Sequence, residues 1–172
     1  VSLDKAALSV PEWTVLSIEG CALRRDDDGR VSLFVSTERD GCPYPKAIRQ
    51  HQKPGTGVWS IQRLTADSVE GLTDAEVIPW LASTDPMHLH VKDPFVWERS
   101  RAADRIGICT HPFSWSSSNT GYAAVDDATD VVFAAFPRGP AWDVAMSRGT
   151  AVVPVPAVGQ FAGSELSILF YD

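Results

Sequence analysis

Two short acidic motifs offer chemistry in this sequence. Glu19 precedes a glycine in Ile18-Glu19-Gly20, and Asp93 precedes a proline in Lys92-Asp93-Pro94. A pair of carboxyl groups suits general acid–base work. One holds a proton for a leaving oxygen while the other, ionised, acts from the opposite face of the bond. Burial beside aromatic rings raises a carboxyl pKa enough for one of the two to keep its proton near neutrality. Each acid has a structural reading as well: Glu19 as a solvated strand-end residue, Asp93 as a turn residue that satisfies local amides.

The histidines offer a second kind of chemistry. His88 and His90 flank Leu89, so in a strand both rings point to one face, the geometry of a metal-binding pair. His111 or Asp93 would then be the third ligand. The same histidines can instead hydrogen-bond a bound molecule, and that reading is adopted, with no metal and no cofactor assigned. Asp26-Asp27-Asp28-Gly29 hints at a calcium loop but lacks the later bidentate glutamate, so it reads as a hairpin turn. No nucleophilic-serine motif, phosphate-binding glycine loop or nucleotide fingerprint occurs.

The elements that must position these groups are short strands. Residues 13–37 read as a hairpin that turns at Asp27-Asp28-Gly29, where Asp and Gly supply positive φ. Trp13, Val15, Ser17 and Glu19 alternate onto one face of the incoming strand. Val31, Leu33 and Val35 alternate with Ser32, Phe34 and Ser36 on the return. Residues 2–8 suggest one helical turn, residues 39–57 a Pro- and Gly-rich loop, and residues 58–64 another strand. Thr73-Asp-Ala-Glu76 matches a capping box and predicts a short helix stopped or kinked at Pro79. Further strands are expected at 89–97, 104–110, 122–125, 131–136, 142–147 and 150–155. A polar loop over 114–121 and turns at 126–127, 137–140 and 148–149 separate them.

Many short strands with almost no helical periodicity predict an all-β chain: a sandwich, a barrel or a propeller. Spacing favours a β-propeller, because three up-and-down groups of roughly blade length can be drawn. One is the Glu19 hairpin with the Trp59 strand, one surrounds Asp93, and one spans residues 131–155. Residues 1–172 are accordingly read as a single all-β domain, or as a propeller fragment of about three blades.

Composition narrows the partners. The chain has 172 residues, 44% of them apolar and 22% charged, with a formal net charge of -7, which disfavours a nucleic-acid partner. No apolar run approaches the roughly 20 residues that span a bilayer, so no membrane partner is expected. Cys21, Cys42 and Cys109 form no CxxC pair and cannot all pair with one another, which points to free thiols in a reducing, cytoplasmic setting. No signal peptide is visible at Val1. Residues 164–172 read as a strand with no cap after it, and the chain is therefore expected to be one portion of a longer protein.

The two acidic motifs, joined to hairpins such as Arg24-Arg-Asp-Asp-Asp-Gly-Arg-Val-Ser-Leu-Phe-Val-Ser36, resemble the five-bladed β-propeller glycosidases: the arabinanase and xylosidase enzymes and the invertase and levansucrase groups. The resemblance covers about three blades' worth of chain and rests on motifs of two or three residues. It implies carboxylates on innermost strands meeting in a funnel-shaped sugar site. By resemblance Glu19 matches the general acid and Asp93 an aspartate that serves as base or nucleophile. In those enzymes that aspartate precedes the acid in the chain, whereas Asp93 follows Glu19, which leaves open the alternative that Asp93 is a later blade's residue lining the site. A third aspartate is expected, with Asp143 and Asp172 the candidates. Trp97, Trp115 and Trp142 would be stacking platforms for sugar rings, with Trp13, Trp59 and Trp142 also readable as core. His90, His111, Ser117 and Asn119 would bind sugar hydroxyls. The implied function is hydrolysis or transfer at a glycosidic bond. The alternatives are a non-catalytic carbohydrate-binding propeller or a scaffold propeller. Three blades cannot close a ring, so a second chain or a further segment is expected to complete it.

Overall fold

The computed structural model describes residues 2–97, 104–136 and 138–172, and its regular structure is all-β apart from short 3-10 turns. β1 (Val15–Arg25) and β2 (Val31–Arg39) form the expected hairpin. The chain reverses between them, with the Asp26 N–H donating to Arg30 O at 2.8 Å and Gly29 at a φ of 88°. β3 (Val58–Ala66) and β4 (Ile78–Leu81) extend the hairpin into an antiparallel sheet in the order β1-β2-β3-β4.

β1 departs from the simple alternation expected of it. Bulges between Val15 and Ser17 and between Glu19 and Cys21 shift its register. Trp13 and Val15 are therefore buried while Glu19 is exposed, and the four residues do not share one face. The bulges re-aim Glu19 away from the core.

The second sheet runs β10-β9-β5-β6-β7-β8. Its strands are β5 (His90–Trp97), β6 (Arg105–His111), β7 (Asn119–Ala124), β8 (Val131–Val132), β9 (Gly149–Pro154) and β10 (Ser167–Tyr171). Its neighbours are antiparallel except β5 and β9, which meet in parallel through Trp97 and Val152.

Several expectations fail for local reasons. No helix follows Thr73. Its hydroxyl instead donates back to Glu70 O at 2.7 Å and closes a 3-10 turn, Glu70–Thr73, while Pro79 lies in β4. β4 is an edge strand, where a missing N–H costs little. Residues 142–147 form no strand, only an isolated bridge between Ser118 and Met146. Asn119, Thr120 and Gly121 belong to β7 rather than to a loop. The meander expected over 131–155 is divided: β8 completes the β5-β6-β7-β8 set, and β9 pairs with β10. Of the turn expected at 137–140, Pro137 lies outside the described residues. The single turn near the N-terminus is present, with the Leu8 N–H donating to Asp4 O at 3.3 Å.

The core lies between the two sheets. Ala22, Phe34, Ile61 and Leu81 meet Val91, Ile106, Ile108, Ala123 and Val125. The other face of the first sheet is covered as well, with Val35 and Leu64 packed beneath Leu8, Trp13 and Leu72. With both faces covered, β2 and β3 bury polar residues as well as apolar ones, Ser36, Thr37, Ser60 and Gln62 among them. Polar ties reinforce the junction. Arg24 Nη2 donates to Asp104 Oδ2 at 2.7 Å, and the Val125 carbonyl accepts from Arg63 Nη1 at 3.1 Å and from Trp80 Nε1 at 3.0 Å. No helix among the described residues is long and apolar enough to cross a membrane.

Candidate functional site

The two acidic motifs meet because β1 crosses close to β5, and the small residue after Glu19 permits that approach. A Cβ built on Gly20 would lie 2.9 Å from Asp93 Oδ1 and 3.2 Å from Asp93 Cα. Glycine at position 20 is thus a condition for Asp93 to sit beside Glu19. Asp93 itself takes a φ of 50°, left-handed backbone that aspartate tolerates better than most residues. It forms the bulge of β5 between Lys92 and Phe95, and its N–H donates to the Ser36 hydroxyl of β2 at 2.8 Å. Ser36 is wholly buried, so the first sheet holds this irregular backbone in place. Gly20→Ala should lower any activity of the site by about tenfold or more, since a 1 Å misplacement of a reacting group is costly. The check is kcat/KM beside the thermal midpoint. An unchanged kcat/KM would show that the close approach does not matter.

Lys92 is the residue that sequence reasoning missed. Its ammonium is ion-paired with Glu19 Oε2 and lies 3.8 Å from Asp93 Oδ2, so one cation bridges both acids. The cation sits 4.6 Å from the centre of the Trp59 ring and 5.9 Å from that of Trp115. Its signal in the sequence was the alternation His90, Lys92 along β5, which puts a lysine on the face that carries the histidine. Around this trio lies a cavity of about 290 Å³, completed by Cys109, Gly149, Thr150, Arg148 and Asp172. Arg148 and Asp172 face each other in a two-point ion pair, Nε–Oδ1 3.0 Å and Nη2–Oδ2 3.3 Å. Of the two candidates for a third aspartate, Asp172 joins the cavity. Asp143 lies elsewhere, 3.5 Å from the Tyr171 hydroxyl.

Burial raises the Asp93 carboxyl above the ordinary aspartate range, Lys92 pulling it back and Glu19 adding to the rise. Burial likewise pushes the Cys109 thiol up to about 12, which makes it a neutral wall rather than a nucleophile.

The expected aromatic and polar partners divide between places. His90 and Trp115 line a second cavity of about 280 Å³, their rings stacked at 4.3 Å. His111, the cross-strand partner of His90, lies 4.8 Å from the Trp115 ring and donates from Nδ1 to Ser117 O at 3.2 Å. Burial lowers both His90 and His111 to about 4, so both rings are neutral near pH 7. Trp97 packs among Phe95, Tyr122 and Phe136 at the far end of β5. Trp142 is 72% exposed and stacks on Tyr171, the neighbour of Asp172. Asn119 pairs with Thr110 at the start of β7. His88 does not act with His90: its Nδ1 is 2.9 Å from Thr110 Oγ1 and its ring stacks on Phe133. No group of three or more metal-ligating side chains comes together among the described residues.

What the first cavity can do chemically follows from its inventory. Carboxylates accept hydrogen bonds, Lys92 and Arg148 donate them, and a partly buried acid can exchange a proton. That combination suits a small molecule dense in hydroxyl groups. No protein-family model, curated protein or solved structure gives a significant match to this chain.

Proposed function

We propose that the chain carries a carbohydrate site and acts at a glycosidic bond, with Glu19 as general acid and Asp93 as the ionised partner. The single observation that carries the reading is convergence. Glu19 of β1, Asp93 of β5 and the Arg148–Asp172 pair at the start of β9 line one cavity. Each of β1, β5 and β9 also begins an up-and-down run of strands: β1-β2-β3-β4 in the first sheet, and β5-β6-β7-β8 and β9-β10 within the second, where β5 and β9 meet. Runs whose first strands gather around a shared polar hollow follow the plan of a propeller, and we read them as blades with these strands innermost. The burial of Asp93 suits a base, since a carboxylate with a raised pKa takes a proton more readily.

Lys92 favours a second reading. An ammonium that ion-pairs with Glu19 and bridges to Asp93 leaves the site well suited to holding sugar hydroxyls without turnover. Glu19→Gln separates the two. As an acid, Glu19 protonates the leaving oxygen, so the variant should lose about 10²- to 10³-fold on an alkyl glycoside and much less on a dinitrophenyl glycoside, whose leaving group needs no proton. Sugar binding measured calorimetrically would persist. Equal losses on both substrates would remove Glu19 from the acid role. Binding without turnover in the unaltered protein would favour the non-catalytic reading.

A further inference from the structure

The second cavity stands apart from the acid–base chemistry and gathers aromatic rings around one carboxylate. It opens between the loop before β3 and the loop after β6, and Tyr44, His51, His90, Phe113 and Trp115 line it together with Glu38. Trp115 is held at a φ of 57°, a strained conformation for a bulky residue, and 47% of it stays exposed. His51 and Phe113 pair at 5.1 Å, and Tyr44 meets His90 edge-on at 5.6 Å. The face of an aromatic ring carries the negative part of its quadrupole, so rings around a hollow favour a cation within it.

Glu38 adds a full charge to that preference. It is partly buried near the end of β2, and its Oε1 accepts from the Gly57 N–H at 2.9 Å, which fixes the carboxylate in the wall and leaves the other oxygen free. Its charge reaches Tyr44, whose phenol is raised by burial and further by Glu38. The cations nearby leave this charge uncompensated. Lys53 also lines the cavity, but it is exposed, and no lysine or arginine among the described residues forms an ion pair with Glu38. Lys92, 5.9 Å from the Trp115 ring, is already paired with Glu19. The Trp59 N–H donates to His90 Nδ1 at 3.4 Å, so that nitrogen has no room for a second proton, and burial keeps the ring neutral.

We propose that this cleft is a binding site for a quaternary ammonium group, the cationic end of a choline-like molecule. Aromatic rings beside a single unpaired carboxylate select that chemistry over a primary amine. A primary ammonium needs acceptors for three N–H groups, and Glu38 is the one carboxylate among the described lining residues. A fully methylated nitrogen donates no hydrogen bond. It spreads its charge over methyl groups that pack against Phe113 and Trp115 while the Glu38 carboxylate balances it. The site uses neither Glu19 nor Asp93, so it goes beyond the glycosidic reading and does not rest on it.

The test titrates choline, and its uncharged isostere in which carbon replaces the nitrogen, against the unaltered protein, Glu38→Gln and Phe113→Leu. Binding is read calorimetrically, with the thermal midpoint of each variant as the control for folding. Choline should bind at least about tenfold more tightly than the isostere, the margin expected of cation–π attraction and one nearby carboxylate. Glu38→Gln keeps the oxygen that accepts from Gly57, and it should weaken choline about tenfold while changing the isostere by less than about twofold. Phe113→Leu keeps an apolar wall but removes a ring, and it should likewise weaken choline more than the isostere. Equal affinity for choline and the isostere would reduce the cleft to an apolar hollow and overturn the assignment. Choline binding that both variants leave intact would place the cation elsewhere and overturn it too, as would no binding of choline by the folded, unaltered protein. None of these failures would touch the Glu19–Asp93 reading, which is tested with sugars.

Discussion

Asp93→Asn is expected to lower turnover by about 10³- to 10⁵-fold while raising the stability of the fold at neutral pH. The two effects share one cause. Asp93 sits in a partly buried place that disfavours its charge; Lys92, 3.8 Å away, relieves part of that cost, and the charge of Glu19 adds to it. A carboxyl whose folded pKa lies above its unfolded value of 3.8 binds protons more readily in the folded state. Its contribution to stability is therefore most favourable below the unfolded pKa, declines as pH rises through the folded pKa, and stays at its least favourable above it. Asparagine removes this penalty and tolerates the left-handed backbone at 50°. Chemical denaturation across pH 4 to 8 should show the variant's advantage at the neutral end shrinking toward the acid end. If the variant is less stable at pH 7, the charge of Asp93 is not strained in the fold.

The kinetic arm has its own sign. As the ionised partner, Asp93 should leave an acid limb in kcat/KM positioned above the ordinary aspartate range, and asparagine should abolish that limb together with the rate. A limb that persists in Asp93→Asn would assign it to another group. Loss of stability with full retention of turnover would return Asp93 to the structural reading of a turn residue before proline.

Much of this arrangement was legible in the sequence, for reasons that can be traced. The β1–β2 hairpin follows from Asp27-Asp28-Gly29, where turn chemistry is local and strong, and β3, β5 and β6 follow from runs of β-branched and aromatic residues. The all-β class needed only those signals. The helix expected after Thr73 failed because a capping box is a pattern of side chains without a partner surface. Leu72 found its burial in the apolar cover over the first sheet, and the Thr73 hydroxyl was spent on its own preceding turn. The strand expected at 142–147 failed because alternation there leaves Trp142 and Val144 exposed with no sheet to face. Among the site residues, Glu19 and Asp93 stood out because glycine and proline beside an acid are visible punctuation. Lys92 did not stand out, since a lysine ahead of an aspartate reads as ordinary surface charge until β1 is known to cross β5. Arg148 and Asp172 were invisible as a pair, because their meeting depends on β9 pairing with β10, a contact no local pattern reports. The bulges of β1 were equally hidden, and they decide where Glu19 points.

Acid is expected to loosen this fold well before its carboxylates are protonated. His90 and His111 each fall from the ordinary value of 6.5 to about 4 through burial, with Lys92 opposing a positive charge on both rings. The unfolded chain binds these protons near pH 6.5 and the folded chain only near 4, so stability is at its fullest above 6.5 and is lost as pH falls between those values. The spread from 6.5 to about 4 amounts to roughly 3 kcal/mol for each ring, a large share of a typical domain's stability. The structural reason differs between the two. Protonating His90 at Nδ1 sets an N–H against the Trp59 N–H, whereas protonating His111 at Nε2 places a charge at a buried atom with no partner. Asp93 works in the opposite sense over part of the same range, becoming less of a burden as acid is added, so the net loss should be smaller than the two rings alone would give. Urea midpoints measured from pH 7.5 down to 4.5 should fall steadily, and in His111→Gln the fall should be shallower by about half. A flat profile, or histidine resonances that titrate above pH 6 in the folded protein, would mean that these rings are more hydrated than their burial beside Trp115 requires. A sugar bound at the Glu19–Asp93 cavity should, at saturation, protect the fold across the same window, because a ligand that binds only the folded chain raises its stability by mass action.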